Sequence, residues 1–226
     1  VPAGLNEIYD TIMDQVKAQD DWEYCQAILA VATLAYRPLH IAELGSLCKL
    51  PSEILSDEGN MRDLIGLCGS FLTLQEHGFV YLIHQSAKDY LSDTAADKVF
   101  TTGFADAHCN ILRMSIQGMQ NILRQDMYNL RQPGVLTEDI TAPNPDPLLS
   151  IRYSCVSWIG HFCDSYHASN PYGKKVLGEL ICDFIRQHYL YWLEALGLMR
   201  QVGGGFIAIT QLRSLVKVSL YLALMS

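Results

Sequence analysis

Phe71-Leu-Thr-Leu-Gln75, then Glu76-His77-Gly78, then Phe79-Val-Tyr-Leu-Ile83 is where the chain changes its period. On both sides of this stretch apolar residues recur at helical spacing. Within it they alternate, and β-branched and aromatic residues are common. Gly78 supplies the positive φ that a tight hairpin turn needs. The stretch therefore reads as a β-ribbon set among helices.

Upstream, Leu5, Ile8, Ile12, Met13 and Val16 form an apolar stripe, with Asn6 and Asp10 outside it, which predicts an amphipathic helix. Asp20 or Asp21 is placed to cap a second helix, Trp22 to Tyr36, apolar along most of its length. Arg37-Pro38 ends it, because the residue before proline is pushed out of the helical region. A short helix is expected from Ile41 to Cys48, after His40. The loop Pro51 to Gly59 leads to another helix, Asn60 to Cys68, with Gly69 as its C-cap. After the ribbon, His84 to Leu91 returns to helix. Helix, helix, short helix, helix and a two-stranded wing make a winged helix, assigned to residues 1–92.

Residues 93–102 read as a polar connection, and only helices follow, so residues 93–226 are expected to form an all-helical domain. Its helices are placed at Phe104–Leu123, Leu148–Ser165, Lys174–Gln187 and Tyr189–Met199, and from Phe206 onward. A Pro-rich loop (Pro133, Pro143, Pro145, Pro147) spans about 125–147. Asn170-Pro-Tyr-Gly173 breaks the chain, and Gly203-Gly204-Gly205 reads as a flexible hinge. The fold class is mainly α, with one β-hairpin in the winged helix.

Half of the residues are hydrophobic and only 18% are charged. Such a surface suits a piece of a larger protein whose faces meet other domains. The ends agree with that expectation: Val1 at the start, and the apolar run Val218 to Met225 at the finish. The net charge of −8 argues against nucleic acid, whose phosphates call for a basic face. Seven cysteines without short paired spacings fit a reducing, cytoplasmic compartment. No signal peptide is visible. No membrane span is expected, since Arg213 and Lys217 interrupt the most apolar run.

The residues show no catalytic constellation. The pattern G-x-x-x-x-G-K-[ST] is absent, and Gly173-Lys174-Lys175 lacks its other members. Cys155, His161, Cys163 and His167 are close in sequence, but a helix points His161 and Cys163 to different sides, so no metal is expected. Gly66-Leu67-Cys68-Gly69-Ser70 has a helix where a nucleophile elbow needs a strand. Ser86 and Lys88, two apart on a helix, do not face each other. His84 is singled out. At a helix start after the second wing strand, its imidazole lies near unpaired backbone N–H groups and suits a switchable donor to an anion. A histidine satisfied by the backbone is the plainer alternative for the same position.

Several segments in order carry a family resemblance: Gly4 to Asp10, Ile28 to Leu39, Glu43-Leu44, Gly66 to Leu74, Ile83-His-Gln-Ser-Ala-Lys-Asp-Tyr-Leu91, and later His188 to Met199. Together they resemble the region directly after the NACHT domain in fungal NOD-like receptors, signal-transducing (STAND) ATPases of the heterokaryon-incompatibility type. The resemblance implies that the winged helix packs over a nucleotide pocket. A histidine at the wing-to-helix junction then contacts the ADP β-phosphate and holds an autoinhibited state; the match puts that role on His84. Gln85, Ser86, Lys88 and Asp89 accompany it without assigned contacts. The phosphate loop belongs to the upstream domain, so no ATP hydrolysis is expected of this segment; ADP and ATP are cofactors of the parent. The implied partners are the intramolecular NACHT domain and C-terminal repeats, with no nucleic acid and no membrane. One rival is a helical protein-interaction scaffold. Another is a DNA-binding winged helix, disfavoured because Asn60 to Ser70 holds a single basic residue, Arg62, followed by Asp63.

Overall fold

The computed structural model describes residues 3–131, 135, 138 and 140–225, excepting the side chains of 3, 167, 168, 171 and 215–225. Contacts divide the chain into two compact units, Val1–Ala107 and His108–Ser226.

The first unit runs α1 (Ala3–Lys17), α2 (Trp22–Leu34), β1 (Leu39–His40), α3 (Ile41–Leu47), α4 (Ser52–Leu55), α5 (Glu58–Leu67), β2 (Leu72–Leu74), β3 (Phe79–Leu82), α6 (Gln85–Ser92) and α7 (Ala96–Val99). The expected hairpin is present, with Thr73 opposite Tyr81. A third strand joins it. α2 has ended by Ala35, which is already extended, and beyond Pro38 Leu39 and His40 pair antiparallel with Val80 and Phe79, giving the order β1-β3-β2.

The turn from β1 into α3 is locked from several sides. His40 Nδ1 accepts the Ala42 N–H at 3.2 Å, and the Glu43 carboxylate accepts the His40 N–H at 2.8 Å, which closes a capping box. Glu43 is only 2% exposed, and Arg37 pairs with both of its oxygens, at 2.8 and 2.7 Å. The Ile41 N–H reaches across to the Gly78 carbonyl.

Gly78 sits at φ 78°, and a Cβ there would lie 2.6 Å from His40 Nε2. Gly78→Ala is therefore expected to lower stability by about 1–3 kcal/mol in a urea titration. Gly66, inside α5 with open space where a Cβ would go, serves as the control. Gly66→Ala should be neutral or mildly stabilising, and equal effects at the two sites would show that the His40 contact does not constrain the turn.

Several expectations shift in detail. α1 buries Tyr9, Met13 and Val16, while Ile8 is 56% exposed, so the buried face is rotated away from the stripe drawn through Ile8. α2 ends at Leu34, two residues before Tyr36, and Asp21 at its N-cap makes no side-chain capping bond. α5 starts at Glu58 because Asp57 accepts the Gly59 N–H at 2.8 Å. Residues 93–102 are not merely a polar connection. They contain α7 and bury Ala95, Val99 and Phe100.

α8 (Phe104–Ile122) leads into the second unit, which continues with α9 (Arg152–Ala168), α10 (Pro171–Leu198) and α11 (Val202–Met225). The break at Asn170 is a helix start: its Oδ1 accepts the Gly173 N–H at 2.8 Å, and Pro171 occupies the first turn. The two helices expected after it are one, α10, since nothing between Gln187 and Tyr189 interrupts good helix formers. Gly203-Gly204-Gly205 is not a hinge but the first turn of α11. Gly205 is buried against Leu196, where the missing side chain lets α11 approach α10 closely.

The core of this unit gathers around Trp158, Trp192 and Phe184, each 0% exposed. Trp158 meets Trp192 edge-on at 5.8 Å and Phe184 at 5.5 Å. At the end of the Pro-rich loop, Asp146 accepts the Leu148 N–H at 2.9 Å and pairs with Arg152 at 2.6 Å. Pro133 lies outside the described residues.

Candidate functional site

β3 delivers the chain to α6 through Ile83 and His84, both exposed. His84 is the N-cap of α6 in an extended conformation (φ −156°, ψ 158°). Its Nδ1 accepts the Ser86 N–H at 3.2 Å. The same Nδ1 lies 2.9 Å from Ser86 Oγ, which lies 2.9 Å from Tyr9 Oη. Because Nδ1 offers a lone pair to the N–H, Ser86 Oγ must donate to it. Ser86 Oγ is then left to accept from the Tyr9 hydroxyl. This polarity fixes the neutral ring as the Nε2–H tautomer. Among the described residues Nε2 makes no hydrogen bond, so one donor is aimed away from the cap.

The support beneath is aromatic. Tyr9 stacks on Phe71 at 5.6 Å and meets Tyr90 at 5.2 Å, with Phe71 and Tyr90 at 5.9 Å. Tyr90 Oη donates to Asp10 Oδ1 at 2.6 Å. Burial first, and then this carboxylate, push the Tyr90 hydroxyl pKa up. α1 and α6 are thus tied together at the histidine. Of the residues accompanying His84, Ser86 turns out to orient it, and Gln85 Nε2 donates to Asp89 at 2.8 Å.

The other residues weighed for chemistry have structural partners. Cys68 is 0% exposed, and its thiol donates to the Leu64 carbonyl at 3.5 Å. The neighbouring Cys25 thiol and then burial hold its pKa well above the usual thiol range, which disfavours a nucleophilic thiolate. Gly69, expected as the C-cap of α5, stands one residue beyond it, at φ 65°. Arg62 is ion-paired with Glu58 on its own helix. Among the described residues no group of three or more His, Cys, Asp or Glu is arranged to hold a metal. The side chain of His167 lies outside them.

His161 is engaged otherwise. Its Nε2 is 2.7 Å from Tyr153 Oη and its Nδ1 is 2.8 Å from His108 Nδ1. Burial and then His108 lower its pKa to about 3. The unfolded chain, with an ordinary histidine near 6.5, binds the proton more readily. Stability contributed here is therefore complete above about pH 6.5 and is lost progressively as pH falls toward 3. The loss expected at pH 5 is on the order of 2 kcal/mol. Fluorescence-monitored unfolding, with Trp158 and Trp192 reporting on this unit, should show it at pH 5 against pH 7. It should shrink in His161→Gln; an unchanged pH dependence in that variant would refute the assignment.

The first unit is thus a winged helix whose wing runs directly into a histidine-capped helix, and the second unit is helical. Residues 10–103 match the family described as GPI inositol-deacylase, winged helix domain. The chain is homologous to a fungal NACHT-domain heterokaryon-incompatibility protein. That relative is the vegetative incompatibility protein HET-E-1 of Podospora anserina, 39% identical over 229 residues, which cover 95% of this chain. The chain spans 17% of that protein's length. No solved structure matches the chain significantly. No helix among the described residues is long and apolar enough to cross a membrane.

Proposed function

We propose that this chain is the regulatory segment of a cytoplasmic NACHT-type signalling ATPase, non-catalytic in itself, that stabilises the parent's ADP-bound, autoinhibited state. The homology supports a regulatory module of such a protein. The observation that carries the finer reading is the pinned His84 imidazole. Nδ1 is held by Ser86, and the Nε2–H is exposed beside the wing. An exposed donor of fixed direction fits a phosphate oxygen, and a ring already ordered loses little entropy on binding it. ADP held by the adjoining domain would supply the diphosphate. Tyr9 orients Ser86, and Ser86 orients His84. The closed state gains from the nucleotide only through contacts absent in the open state, and His84 provides one. The helical unit then relays the state of the C-terminal repeats.

Calorimetry separates the roles of the chain and its parent. The isolated chain should bind neither ADP nor ATP tightly, because its sequence lacks the G-x-x-x-x-G-K-[ST] phosphate loop, whereas the parent should retain ADP. Tight ADP binding by the isolated chain would place a nucleotide site within it and overturn the reading.

A further inference from the structure

A second feature of the first unit lies beside α6 and is not used by the His84 contact. β1 is only two residues long, and its pairing with β3 stops at Leu39–Val80. Upstream of Leu39 the chain leaves the sheet at Pro38, and a cleft of about 240 Å³ opens there. Pro38 and Leu82 border it, with the buried Leu39 and Val80 behind them. Lys88, Gln85, Arg37 and two tyrosines line it with polar atoms.

Two groups at this cleft have no partner among the described residues. In the antiparallel β2–β3 ladder, Tyr81 pairs with Thr73 and the Ile83 N–H donates to the Phe71 carbonyl. Strand alternation then turns the N–H and C=O of Leu82 to the opposite side, toward β1, where no strand residue faces them. The second group is Lys88. Arg37 is taken by Glu43, and Asp89 is taken by Gln85. Lys88 has no ion pair among the described residues. In a chain of net charge −8, a lysine without an ion pair at the edge of this cleft is complementary to an acidic ligand.

We propose that this cleft binds an extended acidic peptide segment. The segment would extend the sheet past β1 through Leu82, place a carboxylate on Lys88 and rest a side chain against Pro38 and Leu82. The open sheet edge at Leu82 gives main-chain hydrogen bonds, and the lysine gives side-chain selection. A small anion would use Lys88 alone and leave Leu82 untouched, so the backbone favours a peptide.

The test uses the full 226-residue chain and the synthetic peptide Ac-Leu-Glu-Val-Asp-Leu-NH2, with Ac-Leu-Lys-Val-Lys-Leu-NH2 and sodium phosphate as comparators. Amide chemical shifts are followed by NMR. The acidic peptide is expected to move the Leu82 amide saturably, and the lysine peptide to leave it in place. Lys88→Glu should weaken the acidic peptide by about tenfold or more at an unchanged melting temperature. Lys88→Gln, which keeps the length of the side chain without its charge, should fall between. Equal responses to both peptides, or a response to phosphate that the peptide merely reproduces without moving Leu82, would overturn the proposal. So would undiminished peptide binding by Lys88→Gln and Lys88→Glu.

Discussion

Trp192→Ala is expected to remove about 3–5 kcal/mol from the second unit, a large fraction of the stability typical of a small domain. Trp192 is fully buried, edge-on to Trp158, and its indole N–H donates to the Cys155 carbonyl at 2.8 Å. Truncation opens a cavity where α9 and α10 meet and removes the donor to a buried carbonyl, two penalties that add. Trp192→Phe should restore most of the volume and lose chiefly the hydrogen bond, at about 1–3 kcal/mol. Leu190, two residues away on the same helix, is 73% exposed, so Leu190→Ala should change little. Circular dichroism during chemical denaturation checks all three. A loss below about 1 kcal/mol for Trp192→Ala would mean that this cluster does not hold the unit together.

Local signals carried much of this fold. The switch from helical spacing to alternation at Phe71 located the hairpin, whereas α2 ends at Leu34, before the Arg37-Pro38 pair expected to stop it. What stayed hidden depended on distance in the chain. β1 is two residues long, too short to show a period, and exists only because β3 lies alongside. The face of α1 depended on partners in the wing and α6: Tyr9 stacks on Phe71 and Tyr90, so the helix turns Tyr9 inward and Ile8 outward. Gly203-Gly204-Gly205 looked like a hinge because glycine is a poor helix former; the close approach of Gly205 to Leu196 outweighed that preference.

The candidate site was legible to a similar extent. The place of His84 at the wing-to-helix junction followed from the order of elements. The Ser86 and Tyr9 contacts that fix its tautomer did not, since Tyr9 and Ser86 stand 77 residues apart. A residue two past an N-cap, at the position whose N–H the cap receives, was the one local hint for Ser86.

The structure also sharpens what a substitution at His84 means. The imidazole caps α6, so His84→Ala should lower stability by about 1 kcal/mol through the lost cap alone. His84→Asp keeps an acceptor at the N-cap and so should leave stability nearly unchanged, while setting a carboxylate against the phosphate. A hydrogen bond to a charged phosphate contributes about 1.5–3 kcal/mol, so losing it should weaken ADP retention roughly 10- to 150-fold. The decisive measurement is the rate of ADP release from the parent protein carrying His84→Asp, taken together with its melting temperature. Release accelerated by about an order of magnitude or more at an unchanged melting temperature is the expected result. Release at the wild-type rate would contradict it, and would leave His84 as a helix cap and nothing more.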